Sequence, residues 1–170
     1  EGPATKSWEG FSFKITYIDN INTERFILEN AIQSALDKLY SKDNHLIVYH
    51  LHEQCIGFRF GLYLYDELKR YNFCHYDLDA EYDHNISDKK RLPSWPDGAR
   101  PDFIIHKRGQ NIGTNICVIE LKKGEDEQIT DQDKKKIREF IEYKDFCYQC
   151  GVTILITQQR KDVKLHWEVR

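Results

Sequence analysis

The sequence predicts an α/β fold, a mixed β-sheet flanked by helices. Short apolar runs of strand character are interspersed with longer segments whose apolar residues recur at helical spacing. Three strand-like runs come in succession, and a fourth follows only after a helix. That passage calls for one parallel crossover beside antiparallel neighbours. With 170 residues, 40% of them hydrophobic, the chain suffices for one domain (1–170) with its own core.

From Asn22 an amphipathic helix carries Phe26, Ile27, Ala31, Ala35, Leu36 and Leu39, with Asn22 or Thr23 as its cap. The run His45 to His50 reads as a short strand. A second helix runs from about His52 to Tyr71, burying Ile56, Phe60, Tyr63, Leu64 and Leu68. Strands are expected within Phe73 to Tyr82, Asp102 to Lys107 and Ile116 to Lys122. Polar loops, Asp83 to Ala99 and Arg108 to Asn115, separate them. A helix from Thr130 to Tyr148 turns Ile137, Phe140, Ile141 and Tyr148 inward. Val152 to Thr157 is a buried strand, and Val163 to Val169 alternates like an edge strand.

Charge and cysteine usage narrow the setting. A net charge of −3 argues neither for nor against nucleic acid: a protein that coats it non-specifically is usually strongly basic, but a nuclease with an acidic metal site can escape that rule through its bound cations. No apolar run reaches the length of a membrane span, so no membrane partner is expected. Five cysteines at irregular spacing, with no signal peptide, read as reduced thiols of a cytoplasmic protein. The polar start, Glu1 to Ser7, reads as a loose end or a cloning remnant, and the initiator methionine is missing.

The chemistry concentrates at Pro101-Asp102, starting one strand, and Glu120-Leu121-Lys122, ending the next. Alternation puts Glu120 and Lys122 on one face and Leu121 on the other. Both charges close an otherwise apolar run, so the strand should open there into a polar cleft. A hairpin would bring Asp102 beside that end. Two converging carboxylates suit a hard divalent cation, which can polarise a phosphoryl oxygen and activate water. Lys122 could position that water or neutralise developing charge.

Pro101-Asp102, a 17-residue spacer and Glu120-Leu121-Lys122 resemble the signature of the PD-(D/E)XK nuclease superfamily. The stretches around His52-Glu53, Asp79 to Asp83, Arg100 to His106 and Val118 to Lys123 are similar to a group of small prokaryotic members. The resemblance covers roughly two-thirds of the chain and implies a restriction-endonuclease-like αβββαβ core over 52–157, with residues 1–45 as an N-terminal extension and one extra helix and strand before the core. It implies that Asp102 and Glu120 bind Mg²⁺ or Mn²⁺, that Glu53 joins them, and that Lys122 assists the water. The implied partner is nucleic acid, DNA ahead of RNA, and a homodimer is left open. Asp79 and Glu81, sharing a strand face, would extend the acidic cluster.

Plainer readings stand beside these. Asp102, Glu120 and Lys122 could be a salt-bridged trio, and Glu53 an acidic residue favoured in a first helical turn. Asp79, Glu81 and Asp83 fit an exposed strand face. Cys147-Tyr148-Gln149-Cys150, at a helix C-terminus, reads as buried thiols rather than a redox pair. His50 and His52 read as packing or surface residues. Lys89, Lys90, Arg91, Arg100, Lys107 and Arg108 could track phosphates, as could Lys134, Lys135, Lys136 and Arg138, or they could be solvated surface. The alternative to a nuclease is a non-catalytic nucleic-acid- or protein-binding module on the same scaffold; a third reading is a structural domain whose acidic cluster is incidental.

Overall fold

Aliphatic residues every three or four positions drive the first helix, and they persist long enough to span the sheet. In this computed structural model the backbone is described for residues 9–85, 88–110, 113–125 and 127–170, and side chains from residue 24 on, those of residues 85 and 88 excepted. Helix α1 runs Glu9–Lys42, so Asn22 and Thr23 fall inside it and do not cap it. The segment Glu1 to Ser7 lies outside the described residues, as do 86–87 and 111–112 of the two predicted loops. Leu28, Ala31, Ile32, Ala35, Leu36 and Leu39 are buried, while Phe26 is 67% exposed. The buried stripe therefore runs through Leu28 and Ile32, not Phe26.

The predicted strand at His45 to His50 is instead a short helix, α2 (Asn44–Val48), which turns the chain between α1 and α3. Only Ile47 of that helix is buried, whereas Val48 and Tyr49 face solvent. Helix α3 (Glu53–Arg70) matches the sequence expectation. The imidazole Nδ1 of its N-cap, His52, accepts from the backbone N–H of Gln54, and Ile56, Phe60, Tyr63, Leu64 and Leu68 are buried.

The strands are β1 (Asp77–Ala80), β2 (His84–Asn85), β3 (Asp88–Lys89), β4 (Phe103–His106), β5 (Cys117–Lys123), β6 (Cys150–Ile156) and β7 (Lys164–Val169). Five of them form one mixed sheet in the order β1-β4-β5-β6-β7; β2 and β3 make a separate small hairpin. All neighbours are antiparallel except β5 and β6, which are parallel across α4 (Asp131–Glu142). Helix α4 has a reciprocal cap, in which Thr130 and Asp133 each accept the other's backbone N–H. It ends at Glu142, so Tyr148 is buried from the following loop rather than from the helix. No helix among the described residues is long and apolar enough to cross a membrane.

Strand alternation sorts two cores. Phe103, Ile105, Cys117, Ile119 and Leu121 pack with α1 and α3 on one face. Ile104 and Val118 pack with Ile137, Phe140 and Ile141 of α4 on the other. Glu120 and Lys122 share the parity of Val118 and face α4. Two glycines permit the close approach of these layers. A Cβ at Gly61 would lie 2.6 Å from the Phe103 ring, and one at Gly151 would lie 2.6 Å from Ile137 and 2.7 Å from Val118.

Gly151→Ala should therefore push α4 off the sheet, lowering stability by about 1–3 kcal/mol. Urea unfolding checks this; an unchanged midpoint would mean that the layer spacing is not set there.

A candidate metal centre at the fork between two strands

Strand β5 outruns β4. The two pair from Phe103↔Ile119 to Ile105↔Cys117, whereas Glu120 to Lys123 pair only with β6. Pro101 has no N–H to continue the ladder. At this fork the Asp102 carboxylate takes over: its Oδ2 accepts the Leu121 N–H at 2.6 Å. On its other side the Asp102 carbonyl accepts the Glu81 N–H at 2.9 Å. Asp102 is thus tied to both neighbouring strands, and by alternation it has the parity of Glu120.

Glu120 does not open into solvent as expected from its charge. Its side chain is 14% exposed and covered by α4, whose Lys136 Nζ stands 2.7 Å from Oε1. The distance brings the ammonium against the carboxyl, though its angle to the buried Oε1 is poor for a hydrogen bond. The hydroxyl of Thr153, the residue paired with Glu120 on β6, is also buried, with no aligned hydrogen-bond partner among the described residues. Burial pushes the Glu120 carboxyl up to about 8; Lys136 opposes the shift and the charge of Asp102 adds to it. Burial also raises Asp102, with Glu81 adding to the effect and Leu121 N–H and Lys136 opposing it. Glu53, at the start of α3, is raised by burial and then by Asp102, while the Lys123 N–H pulls it down. The charge of Asp102 therefore reaches carboxylates on both sides of the sheet.

Lys122 shares the α4-facing side with Glu120, but its ammonium binds Asp133 Oδ2 at 2.8 Å. The cation against Glu120 is Lys136, which also donates to the Arg100 carbonyl at 3.3 Å. Nothing in the sequence distinguishes Lys136 from its neighbours Lys134 and Lys135; the crossover helix selects it by packing.

The proposed extension of the acidic cluster divides. Strand β1 ends at Ala80, and Glu81 takes a left-handed φ of 51°, so Asp79 and Glu81 do not share a strand face. Asp79 bonds His106 and Arg108, away from the fork. Glu81 rims the site, paired with Arg100 at 3.0 Å. Asp83 pairs with His84. Most of the basic residues offered to phosphates have partners within the chain: Arg108 with Asp77 and Asp79, Lys134 with Asp131, Lys135 with Glu139 and Arg138 with Glu168. Lys107 lies over the Tyr76 ring. Lys90 is buried against Tyr82 and Tyr148, where loss of water lowers its ammonium to about 8. Cys147 and Cys150 are buried free thiols.

No protein-family model and no curated protein matches the chain. A solved structure described as the crystal structure of SSO0001 is similar to it at 15% identity, over 86% of this chain and 77% of that one, with a TM-score of 0.39. Similarity assigns no family. The donor chemistry has to speak for itself. Among the described residues no group of three or more His, Cys, Asp or Glu side chains is gathered so as to hold a metal ion. What the fork offers is a carboxyl pair, Asp102 and Glu120, whose buried Glu120 oxygen is met by the Lys136 ammonium alone among the described residues. An all-oxygen pair of this kind fits a hard cation that keeps several waters.

Because the folded state holds the Glu120 proton up to about 8 rather than the ordinary 4.5, its stability falls as pH rises through that window. Glu120→Gln should remove this decline, raising the melting temperature above pH 8 by about 5 °C in chelator, since ~1 kcal/mol is worth roughly 2–4 °C at this size. Parallel wild-type and variant curves would show that Glu120 is not the group concerned.

Proposed function

We propose that this chain is a Mg²⁺- or Mn²⁺-dependent phosphodiesterase, a nuclease of the PD-(D/E)XK type, acting on DNA ahead of RNA. The observation that carries the reading is the pair of partly desolvated carboxylates, Asp102 and Glu120, at the point where β5 leaves β4. The order α3, β1, β4, β5, α4, β6 agrees with the αβββαβ core that the resemblance implies, with the β2–β3 hairpin as an insertion. Five free thiols suit a reducing cytoplasm.

Asp102 and Glu120 would hold the ion, with Glu53 as an outer acidic neighbour. A divalent ion there supplies a Lewis acid for the phosphoryl group and lowers the pKa of the attacking water. The chain's own contribution is to fix the two carboxylates. Leu121 N–H orients Asp102, while burial keeps Glu120 ready to exchange its proton and its Lys136 contact for a doubly charged partner. Lys122, beside Glu120 on the strand, is released from Asp133 to neutralise charge that develops on the phosphate. Asp133 then retains its role as the α4 cap through Thr130.

The closed ion pairs Lys136–Glu120 and Lys122–Asp133 favour one rival, a scaffold whose charges serve only structure. Metal separates the two. Purified protein should cleave nucleic acid with Mg²⁺ or Mn²⁺. Asp102→Ala and Glu120→Ala should each lose about 100-fold or more of that activity while remaining folded by circular dichroism. If wild-type protein neither cuts nucleic acid nor takes up a divalent ion in calorimetry, the nuclease reading is wrong.

A further inference from the structure

Helix α3 carries more apolar surface than its core stripe uses. Phe58, Leu62 and Tyr65, spaced at i, i+4 and i+7, are 65%, 42% and 46% exposed. They line a cleft of about 640 Å³ whose floor is Gly57, Gly61 and Phe103 and whose inner wall is Glu53, Asp102 and Leu121. The cleft therefore shares Asp102 with the candidate metal centre and includes that centre's outer neighbour, Glu53, while Glu120 stands behind it under α4. Gln54 and Phe58 also border a second hollow of about 660 Å³, together with His45 and Arg59. Two neighbouring hollows with a common wall suit successive units of a chain-like ligand better than one compact ligand.

The chemistry of the cleft selects the part of the ligand that enters it. Its inner end is acidic, so without a cation a phosphate is repelled there, whereas a neutral ring is not. Phe58 offers an aromatic face and Tyr65 the face opposite the Lys69 ammonium, which lies 4.0 Å from its ring centroid; a nucleobase stacks on such a face for about 1–3 kcal/mol whatever its sequence. The Gln54 amide, 3.5 Å from Glu81 at the mouth, can turn to meet a base edge. A base in a duplex is already stacked and must be extruded before it can enter, while a single strand presents it without that cost.

We infer that the α3 cleft receives an unstacked nucleobase of a single strand whose backbone passes the Asp102–Glu120 pair, so that the substrate is single-stranded or locally unpaired nucleic acid. This rests on the reading of those carboxylates as a phosphodiester site. Phe58 and Tyr65 act as specificity residues, since they face the base and not the reacting phosphate.

The test uses the full chain with oligonucleotides carrying 2-aminopurine, single-stranded or in a matched duplex, in Ca²⁺ and again in chelator. Wild-type protein should bind the single strand at least about tenfold more tightly than the duplex and quench its fluorescence. A Phe58→Ala/Tyr65→Ala protein should lose about tenfold or more of that binding together with the quenching, while its melting temperature and calorimetric Mn²⁺ binding stay as in wild type. Equal affinity for the two nucleic acids, or unchanged binding by the double variant, overturns the inference. So does a double variant whose main change, seen by light scattering, is the loss of a dimer. The two proposals fail separately. Cleavage of duplex and single strand alike, insensitive to the double variant, leaves the nuclease reading standing and removes this one. Quenched single-strand binding by a protein that cuts nothing removes the nuclease reading and leaves the α3 cleft as a base-binding site without a substrate.

Discussion

One hydrogen bond organises this molecule's chemistry, the donation from Leu121 N–H to the Asp102 carboxylate. Beyond Phe103, where the pairing of β4 with β5 ends, β5 would leave a backbone donor unpaired in a partly buried place, which is costly. Asp102 satisfies it with a side chain rather than a main-chain carbonyl. The sheet thereby gains a carboxylate at the position where its next strand already carries Glu120. Two acids close together, partly removed from water, cannot both be comfortably ionised. The raised Glu120 carboxyl and the nearby Lys136 ammonium are the two ways in which the protein relieves that tension without a metal.

The surrounding layers follow from the same constraint. Helix α4 must lie close enough to set Lys136 against Glu120 and Asp133 against Lys122, and Gly151 gives it that room by presenting no side chain to Ile137. On the opposite face, α3 approaches over Gly61 and brings Glu53 to the Lys123 N–H. Between the helices on the two faces, a cleft borders Asp102 and follows the apolar side of α3. That is where the exposed aromatic stripe lies.

Much of this was legible in the sequence because single-face burial leaves a periodic trace. The α3 stripe, from Ile56 to Leu68, and the apolar run that leads to Glu120 were both read with the right faces. The antiparallel hairpin and the one parallel crossover followed from element order alone. The run His45 to His50 misled, because six residues with apolar members suit a short strand and a short helix equally well; the tight passage from α1 to α3 decides for the helix. Phe26 misled for a related reason: it sits one step off the stripe that Leu28 and Ile32 define. Lys136 was invisible as an individual, since four basic residues stand within Lys134 to Arg138 and only three-dimensional packing picks one. Phe58 and Tyr65 left a signal that went unused, an excess of aromatic residues on a helix whose core needs only one stripe.

The central claim is that Asp102 and Glu120 form one cation site. A crystal of the protein soaked in Mn²⁺ and measured at the manganese absorption edge tests it directly. An anomalous peak within coordination distance of both carboxylates, with Lys136 withdrawn from Glu120, is the predicted result. Lys136 still seated on Glu120, with no peak between the two acids, would contradict it.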